Sequence, residues 1–169
     1  MSINILKCSQ VPSLSSKSLQ MLVSKCTQLR VLDLSYVALL NDIALRALTR
    51  CCQALVELDL SWCESLSPGA FSYVAQFCQT LERLNVSRTA IGDEEILAII
   101  QKCGNLVELK IMKCSRITPA ALETVIQEVM RTTCLDVSCE YVDRAHLLTH
   151  GAMVAGQQAL QFCQNRDRP

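Results

Sequence analysis

Glycine is scarce in this sequence: five residues in 169, none of them in a run. A phosphate-cradling loop needs several glycines close together so that backbone N–H groups can approach the ligand, so nucleotide binding of that kind is excluded. Histidine is scarcer, with His146 and His150 alone. They stand four apart, which on a helix puts both on one face. Leu147, however, occupies the place where H-E-x-x-H carries its glutamate base. A third ligand would have to come from Cys139 or Glu140, so two solvent-facing histidines are expected rather than a metal site. There is no G-x-S-x-G elbow for a nucleophile. No run approaches the roughly 18 uncharged apolar residues of a membrane-spanning helix. The opening MSINILKCSQ has no basic stretch followed by an apolar block, so no secretory signal is read there. Sixteen basic residues balance sixteen acidic ones. A neutral chain lacks the basic footprint expected for nucleic acid or an anionic membrane. No enzyme activity, cofactor or metal is expected.

Two things are abundant. Half the residues are hydrophobic, enough for one domain to bury a core. Cysteine is frequent, at eleven. An odd count without a secretory signal argues against a disulfide framework, and no C-x-x-C pair offers the compact zinc spacing. The reading is buried free thiols in a reducing compartment, cytoplasmic or nuclear.

The nine residues Leu55 to Cys63 read L-x-x-L-x-L-x-x-C, and that shape recurs. Aligning on its second leucine gives Ile3, Leu32, Leu58, Leu84, Leu109 and Leu135. Two residues on come Ile5, Leu34, Leu60, Val86, Ile111 and Val137, all aliphatic. Residues two apart in a strand share a face. The intervals are 29, 26, 26, 25 and 26, with three extra residues around Ser9–Ser16 read as an expanded turn. Recurrence at such a period marks a stacked repeat protein with one strand per unit, successive strands parallel.

Each unit continues with helical spacing. Leu45, Leu48, Thr49 and Cys52 form one apolar stripe, matched by Leu19, Leu22, Val23 and Cys26 before it. Phe71, Val74, Ala75 and Cys78, then Ile96, Ile99, Ile100 and Cys103, then Leu122, Val125, Ile126 and Val129 follow in the same frame. Ser67-Pro68 and Thr118-Pro119 are helix starts, pairing an N-cap oxygen with proline at the first helical position. Asn41-Asp42 and Gly92-Asp93 suit the same role. No helix can bury its stripe alone, so units must stack, with the wider helices on the outer arc. The expected fold is α/β, a solenoid over residues 1–139 with a concave parallel sheet and convex helices. Residues 140–169 are read as a helical cap or a partly disordered tail.

These residues resemble leucine-rich repeats of the cysteine-containing subclass. Cys8, Cys63 and Cys114 stand where that family closes the strand motif, with Val37 and Thr89 replacing cysteine elsewhere. Cys26, Cys52, Cys78 and Cys103 stand where it closes the helix, with Val129 as substitute. The subclass is typical of F-box leucine-rich-repeat proteins. The resemblance therefore implies a non-catalytic module that recognises substrates for a cullin-type ubiquitin ligase, with ligase subunits as further partners. An F-box itself is not found ahead of the repeats. The alternative is a structural or regulatory scaffold with no ubiquitin link.

The expected partner is a protein on the concave face. Residues flanking the buried couplets form columns across the sheet: Val31, Glu57, Arg83, Glu108 and Cys134; Asp33, Asp59, Asn85, Lys110 and Asp136; Ser35, Ser61, Ser87, Met112 and Ser138. A last column holds Tyr36, Trp62, Arg88 and Lys113. Trp62 is the only tryptophan, placed where no core requires it. Tryptophan, tyrosine and arginine dominate interface hot spots. The bland alternative for Trp62 is a cover over the strand-to-helix turn, and for the charges a solvated ladder. Tyr36, Trp62, Arg88, Lys113, Glu57, Asp59 and Arg83 are the candidate contact residues.

Overall fold

The structure, a computed structural model, describes residues 4–11, 16–23, 25–131 and 136–138. Strand and helix alternate throughout: β1 Ile5–Lys7, α1 Ser16–Val23, β2 Val31–Asp33, α2 Asp42–Cys51, β3 Glu57–Asp59, α3 Ser72–Phe77, β4 Arg83–Asn85, α4 Asp93–Lys102, β5 Glu108–Lys110, α5 Pro119–Arg131 and β6 Asp136–Ser138. The six strands form one parallel sheet in sequence order. The sheet lines the concave side and the helices the convex side of a solenoid.

The core lies between these layers. Leu32, Leu58, Leu84 and Leu109 project into it from the strands, and Leu34, Leu60, Val86 and Ile111 follow two residues on, all buried. Leu45, Leu48, Phe71, Val74, Ile96, Ile99 and Val125 meet them from the helices. Each fully buried leucine or isoleucine contributes roughly 1.5–3 kcal/mol, which a short helix could not obtain alone. The helices end at cysteine: Cys52, Cys78 and Cys103 donate their N–H groups to Leu48, Val74 and Ile99 at 2.8–2.9 Å. The Cys-x-x-Leu phrase is a turn, in which the leucine N–H bonds to the cysteine carbonyl at Cys26–Leu29, Cys78–Leu81 and Cys103–Leu106.

The helix starts differ from one another. Asn41 caps α2 through its side chain, accepting from the Ala44 N–H at 3.0 Å. Thr118 accepts from Ala121 at 3.3 Å. Ser67 makes no capping bond, and α3 is preceded by a 3-10 turn, Pro68–Phe71. The Ser67 hydroxyl donates instead to Asp42 Oδ2 at 2.6 Å, and its N–H to Asp42 Oδ1 at 2.9 Å. Thr118 repeats this with Asp93, at 2.7 Å for both bonds. A carboxylate in the first turn of one helix thus ties down the start of the next.

Both ends of the sheet correct the alignment drawn from sequence. Leu6, not Ile3, lies opposite Leu32, and Ile5 lies opposite Val31. The first interval is therefore 26 residues rather than 29, in step with the units that follow. A slip of three exchanges the two faces of a strand. Ile5 accordingly sits on the concave side, 60% exposed. Cys8 takes the inward position that Leu34 and Leu60 hold, so it does not close the strand motif. Counting only aliphatic couplets passed over it, because a thiol packs there as a small hydrophobe. At the other end Val137, not Leu135, lies opposite Leu109. That slip of two keeps the face and moves Asp136 into the column of Glu108. Its cause is α5, which has 13 residues against 10 in α2 and α4. The cap or tail expected over 140–169 lies outside the described residues, as do Cys134 and Leu135.

Candidate partner-binding surface

Each strand leaves the sheet through the same turn. The Val37 N–H returns to the Leu34 carbonyl, and Cys63 to Leu60, both at 3.2 Å. The third residue of this turn has positive φ in five consecutive units: Gln10 58°, Tyr36 62°, Trp62 62°, Arg88 55° and Lys113 57°. Left-handed backbone is glycine's preference, and a side chain held there costs on the order of 1–3 kcal/mol. The surrounding bonds impose it. Asp33 Oδ1 accepts from both the N–H and the hydroxyl of Ser35, at 2.9 and 2.7 Å. Asp59 does the same for Ser61, at 2.8 and 2.6 Å. Asn85 Oδ1 accepts from the Ser87 N–H at 3.1 Å. The sheet ladder then continues through the strained residues, because Tyr36, Trp62 and Arg88 donate their N–H groups to Ser61, Ser87 and Met112 at 2.8–3.0 Å.

This backbone places one side chain per unit along the rim where the strands end. Tyr36 stacks on Trp62 with centroids 5.1 Å apart and planes 18° apart. The guanidinium of Arg88 lies over the other face of Trp62, 4.1 Å from its centroid. Tyr36 is 44% exposed and Trp62 half-buried. Lys113 is exposed and continues the column with the same backbone conformation.

The other candidate residues lie on the sheet itself. Arg83 forms an ion pair with Glu57 on the neighbouring strand and approaches Glu82 at 3.5 Å. The hydrogen bond to Glu57 holds the Arg83 guanidinium above even its ordinary value. Both side chains are 39% exposed, so water screens the pair. Lys110 pairs with Glu108 at 2.8 Å. Asp59 is used within the chain by both carboxylate oxygens, since Oδ2 accepts from Asn85 at 2.8 Å. The structure thus separates the seven candidates into a rim stack, Tyr36, Trp62 and Arg88 with Lys113 beyond, and a sheet network of Glu57, Asp59 and Arg83. The turn-holding role of Asp33, Asp59 and Asn85 has a sequence signal, an Asp or Asn two residues before serine at three strand exits.

The described cysteines are buried or half-buried. All eight described ones are free thiols. Cys63 and Cys114 point their Sγ atoms at the Leu34 and Val86 carbonyls of the preceding units, both at 3.2 Å. Cys52 and Cys103 do likewise to Cys26 and Cys78, at 3.5 and 3.4 Å. Burial pushes Cys63 and Cys78 up to about 12, and Cys52 and Cys103 up to about 11. A cysteine nucleophile acts as the thiolate, which these four are not near neutrality. Among the described residues no group of three or more His, Cys, Asp or Glu is placed to hold a metal ion. No described helix is long and apolar enough to cross a membrane.

Comparison with known proteins agrees with this architecture. Residues 77–99, running from the end of α3 through β4 into α4, match the leucine rich repeat family. Among curated proteins no sequence matches the chain. Of solved structures, the Rad7 and Elc1 complex of yeast superposes with a TM-score of 0.64 at 21% identity, over 70% of this chain and 30% of that one. The tropomodulin C-terminal domain of Caenorhabditis elegans gives 0.59 at 15% identity, over 78% of this chain and 84% of that one. The chain thus spans under a third of the yeast protein it superposes on, and at these identities the likeness is one of fold. With the family match on one unit and the same fold in both structures, the architecture is that of a leucine-rich-repeat solenoid.

Proposed function

We propose that this chain is a non-catalytic protein-interaction module whose partner lies along the strand-exit rim and the adjoining concave sheet. The observation that carries this is the Tyr36–Trp62–Arg88 stack. Three large side chains of the kinds that dominate hot spots are aligned on strained backbone, and the hydrophobic core needs none of them. Stacking fixes their rotamers before a partner arrives, which lowers the entropy cost of binding.

A finer reading makes the partner a substrate for a cullin-type ubiquitin ligase, in the cytoplasm or nucleus. Its support is the resemblance of the cysteine pattern to F-box leucine-rich-repeat proteins, together with a fold likeness to one protein solved in complex with another. The alternative is a structural or regulatory scaffold without a ubiquitin link.

The test is affinity purification with wild type and Trp62→Ala. The variant loses one aromatic stack and one cation–π contact, so a stability cost of about 1–2 kcal/mol is expected. Its circular dichroism should match wild type while the captured partner falls away, with a loss of about 2 kcal/mol or more of binding. Equal capture by a folded variant rejects the rim. Cullin subunits that co-purify favour the ligase reading, and their absence favours the scaffold.

A further inference from the structure

The rim changes chemical character along its length. The described turn residues after β1 and β2, Ser9 to Val11 and Leu34 to Asn41, carry no charged side chain. They present Tyr36 and Leu39, 44% and 54% exposed. The turn after β3 carries Trp62 and one acid, Glu64. The turns after β4 and β5 carry Arg88, Lys113 and Arg116, and no acid before Asp93 and α5 respectively. One end is apolar and the other cationic.

Arg88 is set up for a particular ligand. Its guanidinium carbon lies 4.1 Å from the Trp62 centroid, a contact with the indole π face that uses none of the five N–H donors in a hydrogen bond to a carboxylate. Among the described residues no carboxylate forms an ion pair with it. A planar fork matches a carboxylate bidentately. Arg116, exposed in the turn after β5 three residues beyond Lys113, adds a second cation to this end.

From this we infer that the rim binds an extended acidic peptide segment with one aromatic or aliphatic anchor, the anchor against Tyr36 and Leu39 and the carboxylates against Arg88 and Arg116. The inference rests on the rim being the partner surface and adds the chemistry of what lies there. The geometry sets a spacing. Neighbouring strands lie about 4.8 Å apart, so two units separate Tyr36 from Arg88 by about 10 Å and three separate it from the β5 turn by about 14 Å. An extended peptide advances roughly 3.3 Å per residue, which places the acids about three and about four to five residues from the anchor.

The test uses Trp62 as its own probe, since it is the chain's only tryptophan. Synthetic peptides of roughly twelve residues are titrated against the whole chain while its emission is followed. One set carries phenylalanine with glutamates at that spacing, in both chain directions. A second set carries glutamine in place of glutamate. The acidic set should shift the emission and bind about tenfold more tightly than the glutamine set, the difference shrinking as salt is raised. Arg88→Glu, folded by circular dichroism, should weaken the acidic peptide about tenfold and improve binding of a lysine version. Equal binding of the two sets, no binding by either, or an unaffected Arg88→Glu overturns the inference. These outcomes leave the partner surface itself to the Trp62→Ala capture experiment. Capture lost there while Arg88→Glu changes nothing sinks only the acidic segment, whereas capture retained sinks both.

Discussion

Raising the pH should unfold this protein through its thiols. Cys52, Cys63, Cys78 and Cys103 ionise at about 11 to 12 in the fold, against an ordinary value of 9.0. A raised native value means that the folded chain holds its proton where the unfolded chain has released it. Stability is therefore intact below about 9 and falls between about 9 and 11–12, as the unfolded state sheds protons that the native state keeps. One unit of difference is worth about 1.4 kcal/mol per group. At about pH 10 the four thiols together remove about 5 kcal/mol, comparable with the whole stability of a small domain. The assay is urea unfolding in the presence of a reductant, followed by Trp62 emission and circular dichroism at about pH 8 and pH 10. The midpoint should drop steeply. Valine at position 63, the residue that its equivalent Val37 already uses, should remove about a quarter of the drop. An unchanged midpoint, or thiolate absorbance that rises near pH 9 in the folded protein, would refute the burial argument.

Two further expectations follow from the turns. Asp42→Ala removes both bonds to Ser67 and should cost about 1–2 kcal/mol. A double-mutant cycle with Ser67→Ala tests it, since additive losses would show that the staple does not couple the two units. At Gln10, exposed and with φ of 58°, glycine should be more stable than alanine by about 1 kcal/mol, the reverse of the order inside a helix or strand. Urea midpoints of the two variants decide it, and alanine at or above glycine would show that the turn is unstrained.

The middle of the solenoid was legible in the sequence because several periodic signals agree there. Leu58 with Leu60, the stripe from Phe71 to Cys78 and the closing Cys-x-x-Leu phrase all point to one frame. At the ends one signal stood alone. The couplet Ile3/Ile5 looked aliphatic and the true couplet Leu6/Cys8 did not, so the frame slipped by three. At the far end a longer α5 shifted β6 by two, and helix length is not fixed by an apolar stripe. The rim column was legible for the same reason as the core, since equivalent positions on parallel strands must be neighbours. Its left-handed backbone was not. Nothing in Tyr36 or Trp62 announces positive φ, which the Asp-x-Ser turns and the sheet ladder impose from outside. Glu57 and Arg83 stand in one column of the sequence pattern and pair in the fold, whereas the internal bonds of Asp59 to Ser61 and Asn85 carry no periodic signal.

Asp42, Pro68, Asp93 and Pro119 take turns at the first position of successive helices. Proline brings no carboxylate, so the β2 and β3 units are laced together, as are those of β4 and β5, while the β3–β4 joint has no such lace. There the plane of Trp62 under Arg88 bridges the two units, beside the Asn85–Asp59 hydrogen bond and the Arg83–Glu57 ion pair on the sheet. The amides crossing there, Leu60 to Asn85 and Trp62 to Ser87, should trade hydrogen for deuterium before those on either side. A guest lying over Trp62 and Arg88 would then bridge a joint that lacks the carboxylate staple, adding from outside a tie that proline at position 68 cannot supply.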